Sequence, residues 1–494
     1  MINYFLTEKE KYKLQIFQYI FLSPYPQTYS TLLNKFLLKP FTLRRYVREL
    51  KDDIYSAFSE KVELRENTKY TFTVINDPEL SINFLITNLR LYYVKNSSLY
   101  LVARAISFKS YSSITELSHD TNLSEITIYK LIAQLKPVLS AFAIDICFEG
   151  RANLIGDELG ARYFIFLLHW NLSSPFCNNA FTSHFPPEFT DINFLTKSLG
   201  IKKELSSSQT TKLLLMSGIT SYRLVYFKKR SKKNKNLLEE IQYFYNGVYC
   251  LNLSSYNVSD KILEDESLIF SFLIRGLIYD FDTFENKRTI VMKYRSSHLP
   301  VARFVADFLK KFRKTFNLEY SSSGYIKSYY LLLITYLHIK YFYFDLGNYM
   351  YNPIKDNLGN FEIDPDYINV RQKLIYFVNM LPFKHPMTSE DEKIFSYLLY
   401  ILYKTNNKPT PISIYITHTS NIANAALIKN TLRKIFNEDM LKFSDNPSES
   451  YLIISDTFEQ HNSSENIFYL DDVSDKTAWV ALINFIATFL SQHI

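Results

Sequence analysis

The sequence predicts a mainly α, multidomain chain. It should have two helix-turn-helix domains at the N-terminus, helical bundles in the middle and a small α/β domain at the end. Three observations carry this prediction. Two N-terminal stretches align without a gap at a constant displacement of 85 residues, as from Leu38 to Leu123. Residues 157–404 repeat apolar runs at helical spacing with no strand signals, in a chain of 494 residues that holds only 10 glycines. Beyond Pro409 and Pro411 the pattern changes to short strands alternating with helices.

The first unit opens with a helix over Glu8–Leu22, with Leu14, Phe17, Ile20 and Phe21 facing inward. Tyr29–Leu37 is the leading helix of a helix-turn-helix. Such a motif packs two helices steeply across a short turn and leaves one stripe of the second helix free for a DNA groove. Pro40 suits a helix start, where its missing N–H has no partner to lose. Leu43, Val47, Leu50 and Ile54 form the inward stripe, while Thr42, Arg44, Arg45, Arg48 and Lys51 face out. Arginine forks fit phosphate and guanine. Residues 62–65 and 69–74 alternate around a polar turn, which reads as a hairpin and makes this unit a winged helix.

Asp77-Pro78 marks a break before the second unit. Leu80–Arg90 begins it and Tyr100–Phe108 supplies its first helix. Ser113–Thr121 is the leading helix, Leu123 fills the corner, and Ser124 caps the next helix. Ile128, Ile132, Leu135 and Leu139 repeat the inward stripe at the same displacement. Glu125, Thr127, Tyr129, Lys130 and Gln134 are left outside, and Ile144–Phe148 reads as a short strand. The two open faces differ. The first is arginine-rich, the second less basic with Glu125 near its reading end. Amphipathic helix pairs are common as plain core. Two copies in register, the first followed by a hairpin, favour a DNA reader.

Seven apolar helical runs then follow: Ala161–Trp170, Lys212–Tyr226, Leu268–Tyr279, Val301–Phe312, Lys327–Tyr343, Val370–Leu381 and Asp391–Tyr403. They predict one or two bundles. At the end, Ile412–Ile416, Tyr451–Ile454 and Asn466–Leu470 read as strands, with helices over Asn421–Phe436 and Lys476–Ser491. This order implies a largely parallel sheet. The expected domains are 1–75, 76–160, 161–285, 286–405 and 408–494.

Composition narrows the function. The net charge of +7 is compatible with nucleic acid without requiring it. Three widely spaced cysteines, Cys147, Cys177 and Cys250, give neither a disulfide framework nor zinc spacing, and a reducing cytoplasm is expected. Met1–Lys13 is charged and lacks a signal-peptide apolar run. Tyr329–Phe344 contains His338 and Lys340 and reads as a buried helix rather than a membrane span. No nucleotide-binding glycine motif and no paired metal-ligand motif occurs, so no cofactor, no metal and no catalytic residue is expected. Asp364-Asp366 and Asp471-Asp472 read as turn or cap acids. The basic run of Lys228, Lys229, Arg230, Lys232, Lys233 and Lys235 reads as a solvated loop that could touch a DNA backbone.

The order of modules resembles the Mga/AtxA class of Gram-positive virulence regulators, above all its RofA-like branch. The residues behind this are Leu154-Ile155-Gly156-Asp157-Glu158 with Arg162-Tyr163-Phe164, the helix Lys212–Leu215 leading to Tyr222-Arg223, and the strand Tyr451–Ser455. The resemblance covers essentially the whole chain. It implies a DNA-binding transcription regulator with two helical phosphotransferase regulation domains and a C-terminal domain like a phosphotransferase IIB component. It further implies homodimerisation through that last domain, and histidines open to phosphorylation by the phosphotransferase carrier protein. The chain departs from the pattern in two places. The helix Thr211–Phe227 has no histidine, Thr211 lying nearest the comparable position, which leaves His338 as the candidate phosphoacceptor ahead of His298 and His385. The loop after the first C-terminal strand, Thr417-His418-Thr419-Ser420-Asn421, lacks the IIB cysteine, so this domain is expected to dock rather than catalyse. Here Thr and Ser would cap the following helix, with His418 a lesser phosphate candidate.

The expectation is therefore a cytoplasmic, non-enzymatic regulator that binds double-stranded promoter DNA and no membrane. Its DNA-contacting residues would be Thr42, Arg44, Arg45 and Arg48 in the first unit and Ser124, Thr127, Tyr129 and Lys130 in the second. The rivals are a phosphate-relay component of the phosphotransferase system and a helical scaffold without a DNA role.

Overall fold

A computed structural model describes residues 2–67, 70–170, 185–231, 234–278, 280–341, 365–381, 389–407, 411–419, 421–437, 440–457 and 466–493. Cys177, Lys232, Lys233, Tyr279, Asp364, His385, Pro409 and Ser420, all named above, lie outside these residues. Nineteen α-helices and three small sheets make up the described chain, a mainly helical, multidomain architecture. Among the described residues no helix is long and apolar enough to cross a membrane.

The chain divides into two compact units. The first begins with α1 (Glu8–Leu22), fixed by a capping box in which Thr7 and Glu10 satisfy each other's backbone N–H. Its inward face holds Leu14, Ile16, Phe17 and Ile20, while Phe21, expected inside, is only half-buried. Then come β1 (Gln27–Thr28), α2 (Tyr29–Phe36), α3 (Pro40–Phe58), β2 (Val62–Asn67) and β3 (Thr71–Asn76). The three strands form one antiparallel sheet in the order β1-β3-β2, with Leu64 opposite Val74. Next, α4 (Ile82–Lys95), read from the sequence as the start of the second unit, packs on α1 and α3 and also meets the helix that follows it. Its Tyr93 hydroxyl donates to Asp53 of α3 at 2.7 Å, and Lys13 of α1 pairs with the same carboxylate.

The second helix-turn-helix comprises α5 (Ser98–Phe108), α6 (Ile114–Thr121), α7 (Glu125–Ala141), β4 (Ile144–Ile146) and β5 (Leu154–Gly156). The last two strands pair antiparallel. The helical body that follows uses α8 (Glu158–Trp170), α9 (Ile192–Ser198), α10 (Ser207–Val225), α11 (Lys235–Ile241), α12 (Asp260–Leu277) and α13 (Phe284–Arg295). The sequence reading missed α13, which carries few apolar residues; only Ile290, Val291 and Tyr294 are buried on it.

α14 (Pro300–Phe316), α15 (Ser322–Tyr341) and α17 (Ser389–Asn406) contribute to both units; α16 (Pro365–Asn379) belongs to the second. In the second unit Phe308, Phe312, Phe316 and Phe377 form an aromatic cluster, with ring centroids 5.2 Å apart between Phe312 and Phe377. The C-terminal α/β part consists of β6 (Ile412–Ile416), α18 (Ile422–Ile435), β7 (Leu441–Ser444), β8 (Leu452–Ser455), β9 (Ile467–Tyr469) and α19 (Lys476–His493). The sheet is parallel throughout in the order β7-β6-β8-β9. Ile414, Leu452, Ile454, Ile428, Leu432, Leu482 and Ile486 fill its core. The four-residue strand β7 was not foreseen.

Candidate nucleic-acid interface

The two helix-turn-helix copies coincide element for element at the displacement read from the sequence. α2 and α6 are each 8 residues long and start 85 residues apart, at Tyr29 and Ile114. Each start is capped by a hydroxyl: Thr28 accepts from Thr31 N at 3.1 Å, and Ser113 from Glu116 N at 3.2 Å. Each leading helix ends on a residue in the left-handed region, Leu37 at φ 52° and Asn122 at φ 54°. The second helices start at Pro40 and Glu125, again in register.

The buried stripes of these helices fix which face looks outward. Leu43, Val47, Leu50 and Ile54 are buried in the first copy, and Ile128, Ile132, Leu135 and Leu139 in the second. A helix that buries one such stripe must present the opposite residues to solvent. Arg44, Arg45 and Arg48 are accordingly exposed, and Thr42 is half-buried. No carboxylate pairs with these three arginines among the described residues. Arg44 lies over the Tyr29 ring and Arg45 over the Tyr46 ring, at 5.9 and 5.5 Å from the centroids. These contacts stiffen long side chains without neutralising them. Lys51 differs, since it pairs with Glu66 of β2 at 3.2 Å and anchors the hairpin to its helix.

In α7, Tyr129 and Lys130 are exposed and Thr127 is half-buried. Ser124 is the N-cap: its Oγ accepts from Thr127 N at 3.2 Å and lies 2.8 Å from Thr127 Oγ1. Glu125 accepts a hydrogen bond from Thr115 of α6 at 2.7 Å. The polar groups in the first turn of α7 are thus largely engaged within the protein.

A second wing stands beside α7. The sequence reading saw a strand near Ile144 and overlooked its partner, because each strand is only three residues long. In the first copy β1 completes the sheet. In the second copy the Asn153 side chain substitutes for a strand: its Oδ1 accepts from Tyr111 N at 2.8 Å, and its Nδ2 donates to Tyr111 O at 2.9 Å. Gly156 closes the hairpin at φ +114°; a Cβ there would lie 2.5 Å from Ala143 O.

The segments that carried the family resemblance in the first unit meet immediately behind this wing. Glu158 and Arg162 of α8, Arg223 of α10 and Glu266 of α12 form a buried ionic network. Arg162 reaches Glu158 at 2.9 Å and Glu266 at 2.6 Å, and Arg223 reaches Glu158 at 2.8 Å. Arg223 also donates to Leu154 O of β5 at 3.3 Å. Burial by itself would raise the Glu158 carboxyl, but Arg223 and Arg162 outweigh it and hold it below its ordinary value. Desolvation disfavours the Arg162 cation, yet Glu266 and Glu158 keep its pKa raised. The basic run threads past this network: Lys228 and Arg230 point to solvent, while Ser231 N donates to Glu266 at 2.7 Å.

The histidine candidates fall in different settings. His338 is half-buried on α15, its ring 4.8 Å from that of Phe272 and inserted where α12 has Gly276; a Cβ there would lie 2.1 Å from the ring. Desolvation of the ring lowers its pKa to about 4, so it is neutral at physiological pH. His298 sits in the exposed loop before α14. His418 follows β6 with its side chain buried, Nδ1 lying 3.1 Å from Asp456 Oδ2 and Nε2 3.4 Å from Asn424 Nδ2. The cap of α18 is neither of the residues expected: Asn421 accepts from Ala423 N at 2.9 Å, while Thr419 N donates to Asp456 at 2.8 Å.

Comparison with known families identifies one match. Residues 82–169 match the model of the Mga helix-turn-helix domain. The match runs from α4 to α8 and so contains the second helix-turn-helix, its wing and the Glu158–Arg162 pair. No curated protein matches the chain. The chain carries a Mga-type helix-turn-helix domain, a domain of DNA-binding regulators.

Proposed function

With residues 82–169 forming a Mga-type helix-turn-helix domain, we propose that this chain is a transcription regulator that grips promoter DNA through both of its winged helix-turn-helix units. The observation that carries the reading is the repeat itself. Helix starts, caps, left-handed corners and buried stripes recur 85 residues apart, and the outward faces carry Arg44, Arg45 and Arg48 in one copy and Tyr129 and Lys130 in the other. Phosphate contacts from the arginines supply affinity, and base-edge contacts supply preference. The Arg44→Ala/Arg45→Ala double variant should bind a promoter duplex about tenfold or more weakly at moderate salt, with a shallower salt dependence. Unchanged binding in a gel shift would remove the first unit from the interface.

The helical bodies are proposed as phosphotransferase-type regulation domains and the C-terminal α/β part as a docking domain for a second copy. The exposed Val480 of α19 and Leu427 of α18 support a docking role. Removing residues 409–494 should shift the protein toward monomer in sedimentation, and an intact dimer would refute this. The His418–Asp456 pair keeps a phosphate-relay reading in play as the alternative. Phosphorylated carrier protein separates the two: label passed on to a sugar marks a relay component, and label retained on the chain marks a regulator.

A further inference from the structure

Each recognition helix presents a large apolar side chain to solvent at its second residue. Phe41 is 78% exposed on α3 and Ile126 is 69% exposed on α7, and they occupy the same position of the repeat. A single exposed apolar residue on a surface requires no explanation. A pair at one register position, in the first turn of the helix meant for the groove, calls for a common cause. The N-terminal residues of a recognition helix are those that reach base edges.

The polar chemistry of the first turn of α7 is already engaged. Ser124 caps the helix and lies against Thr127, and Glu125 accepts from Thr115. In the first turn of α3, Pro40 offers no donor and Thr42 is half-buried. At the start of α3 the outward surface is apolar and flanked by cations, Arg44 and Arg45 following Phe41; at the start of α7 Ile126 stands between the exposed Glu125, held by Thr115, and Lys130 one turn on. The major groove offers one apolar landmark, the C5-methyl of thymine, and apolar side chains, Phe among them, pack on it. An apolar side chain in the first turn with a cation within one turn of it fits a thymine methyl beside a phosphate strand.

Resting on the DNA-binding reading above, we infer that Phe41 and Ile126 are specificity residues that read thymine methyl groups, one in each half-site. The flanking arginines and lysine set the strength of binding; these two side chains set its sequence preference toward A·T pairs.

Deoxyuridine provides the test, because it differs from thymidine only in lacking that methyl. The intact protein selects duplexes from a random pool, and thymines in the selected duplex are replaced by deoxyuridine one at a time. At one position in each half-site the replacement should weaken binding about fourfold, the value of one buried methyl. Phe41→Ala should abolish sensitivity to deoxyuridine in one half-site and Ile126→Ala in the other, so that variant and base change together cost no more than the larger alone. Phe41→Leu should retain part of the sensitivity. Both residues are exposed, so thermal unfolding of the variants should match the parent and separate a misfolded protein from a lost contact. Indifference of the parent to deoxyuridine at every position would overturn the inference, as would losses that add in full. Loss of self-association with unchanged DNA binding would overturn it too, by assigning these side chains to a protein contact. Failure to select any duplex would instead overturn the DNA-binding reading beneath it.

Discussion

Leucine is a poor choice for the corner of a helix-turn-helix. Leu37 ends α2 at φ 52° and ψ 36°, where Cβ crowds the following carbonyl, and its side chain is 90% exposed, so no packing compensates. The second copy places Asn122 at the equivalent corner, a residue that tolerates the left-handed region. Leu37→Asn should therefore stabilise the protein by ~0.5–1 kcal/mol, seen as a higher urea midpoint with an unchanged m-value, and it should leave DNA affinity as it was. An unchanged or lower midpoint would mean that Leu37 makes a contact in solution that compensates for the strain. The strain itself was not legible from one copy; only the aligned pair exposes it. His338 teaches the same lesson in reverse. Its place on an apolar helix was plain in the sequence. Its role was not, because the slot that holds it is cut by Gly276, far earlier in the chain.

Among the elements, helix starts were the most legible because their signals are local: a hydroxyl before an apolar run is a cap wherever it occurs. Short strands were the least legible. β7 and β5 have four and three residues, too few for alternation to show, and they exist because a neighbouring strand pairs with them. The ionic network behind the second wing was visible only as a set of recurring letters. The sequence marked Glu158, Arg162 and Arg223 as family-like, and the fold shows them sharing buried carboxylates. Glu158→Gln would leave two buried guanidiniums short of one charge and should cost ~3–5 kcal/mol. The sign with pH follows from its lowered pKa. The contribution of Glu158 is complete at and above the ordinary carboxyl value of about 4.3 and is lost only as acid passes below it. Calorimetry should thus show parent and Glu158→Gln converging in strongly acidic buffer and separated at neutral pH. A gap independent of pH would assign the defect to packing alone. Hydrogen exchange should report the loosening first at β5, where Arg223 holds the Leu154 carbonyl.

At the scale of the whole molecule, the two helix-turn-helix copies are not beads on a string. α4 packs on α1 and α3 and leads directly into α5, and the segment before α1 returns to the second copy. Tyr4 donates to the Gln134 carbonyl of α7, and Phe5 meets the Tyr100 ring edge-on at 6.0 Å. On the proposed reading, two DNA readers bolted together in this way act as a calliper on the double helix. They measure the phase between two half-sites as well as the bases within each. DNA repeats about every 10–10.5 base pairs, so inserting about 5 base pairs between the half-sites turns one to the far side of the duplex. Binding to such a site should fall to the level of a duplex carrying one half-site. Full affinity across that insertion would mean that the bolt opens. On that reading spacing becomes part of a promoter's address: a small insertion between half-sites would silence it as surely as a change of sequence.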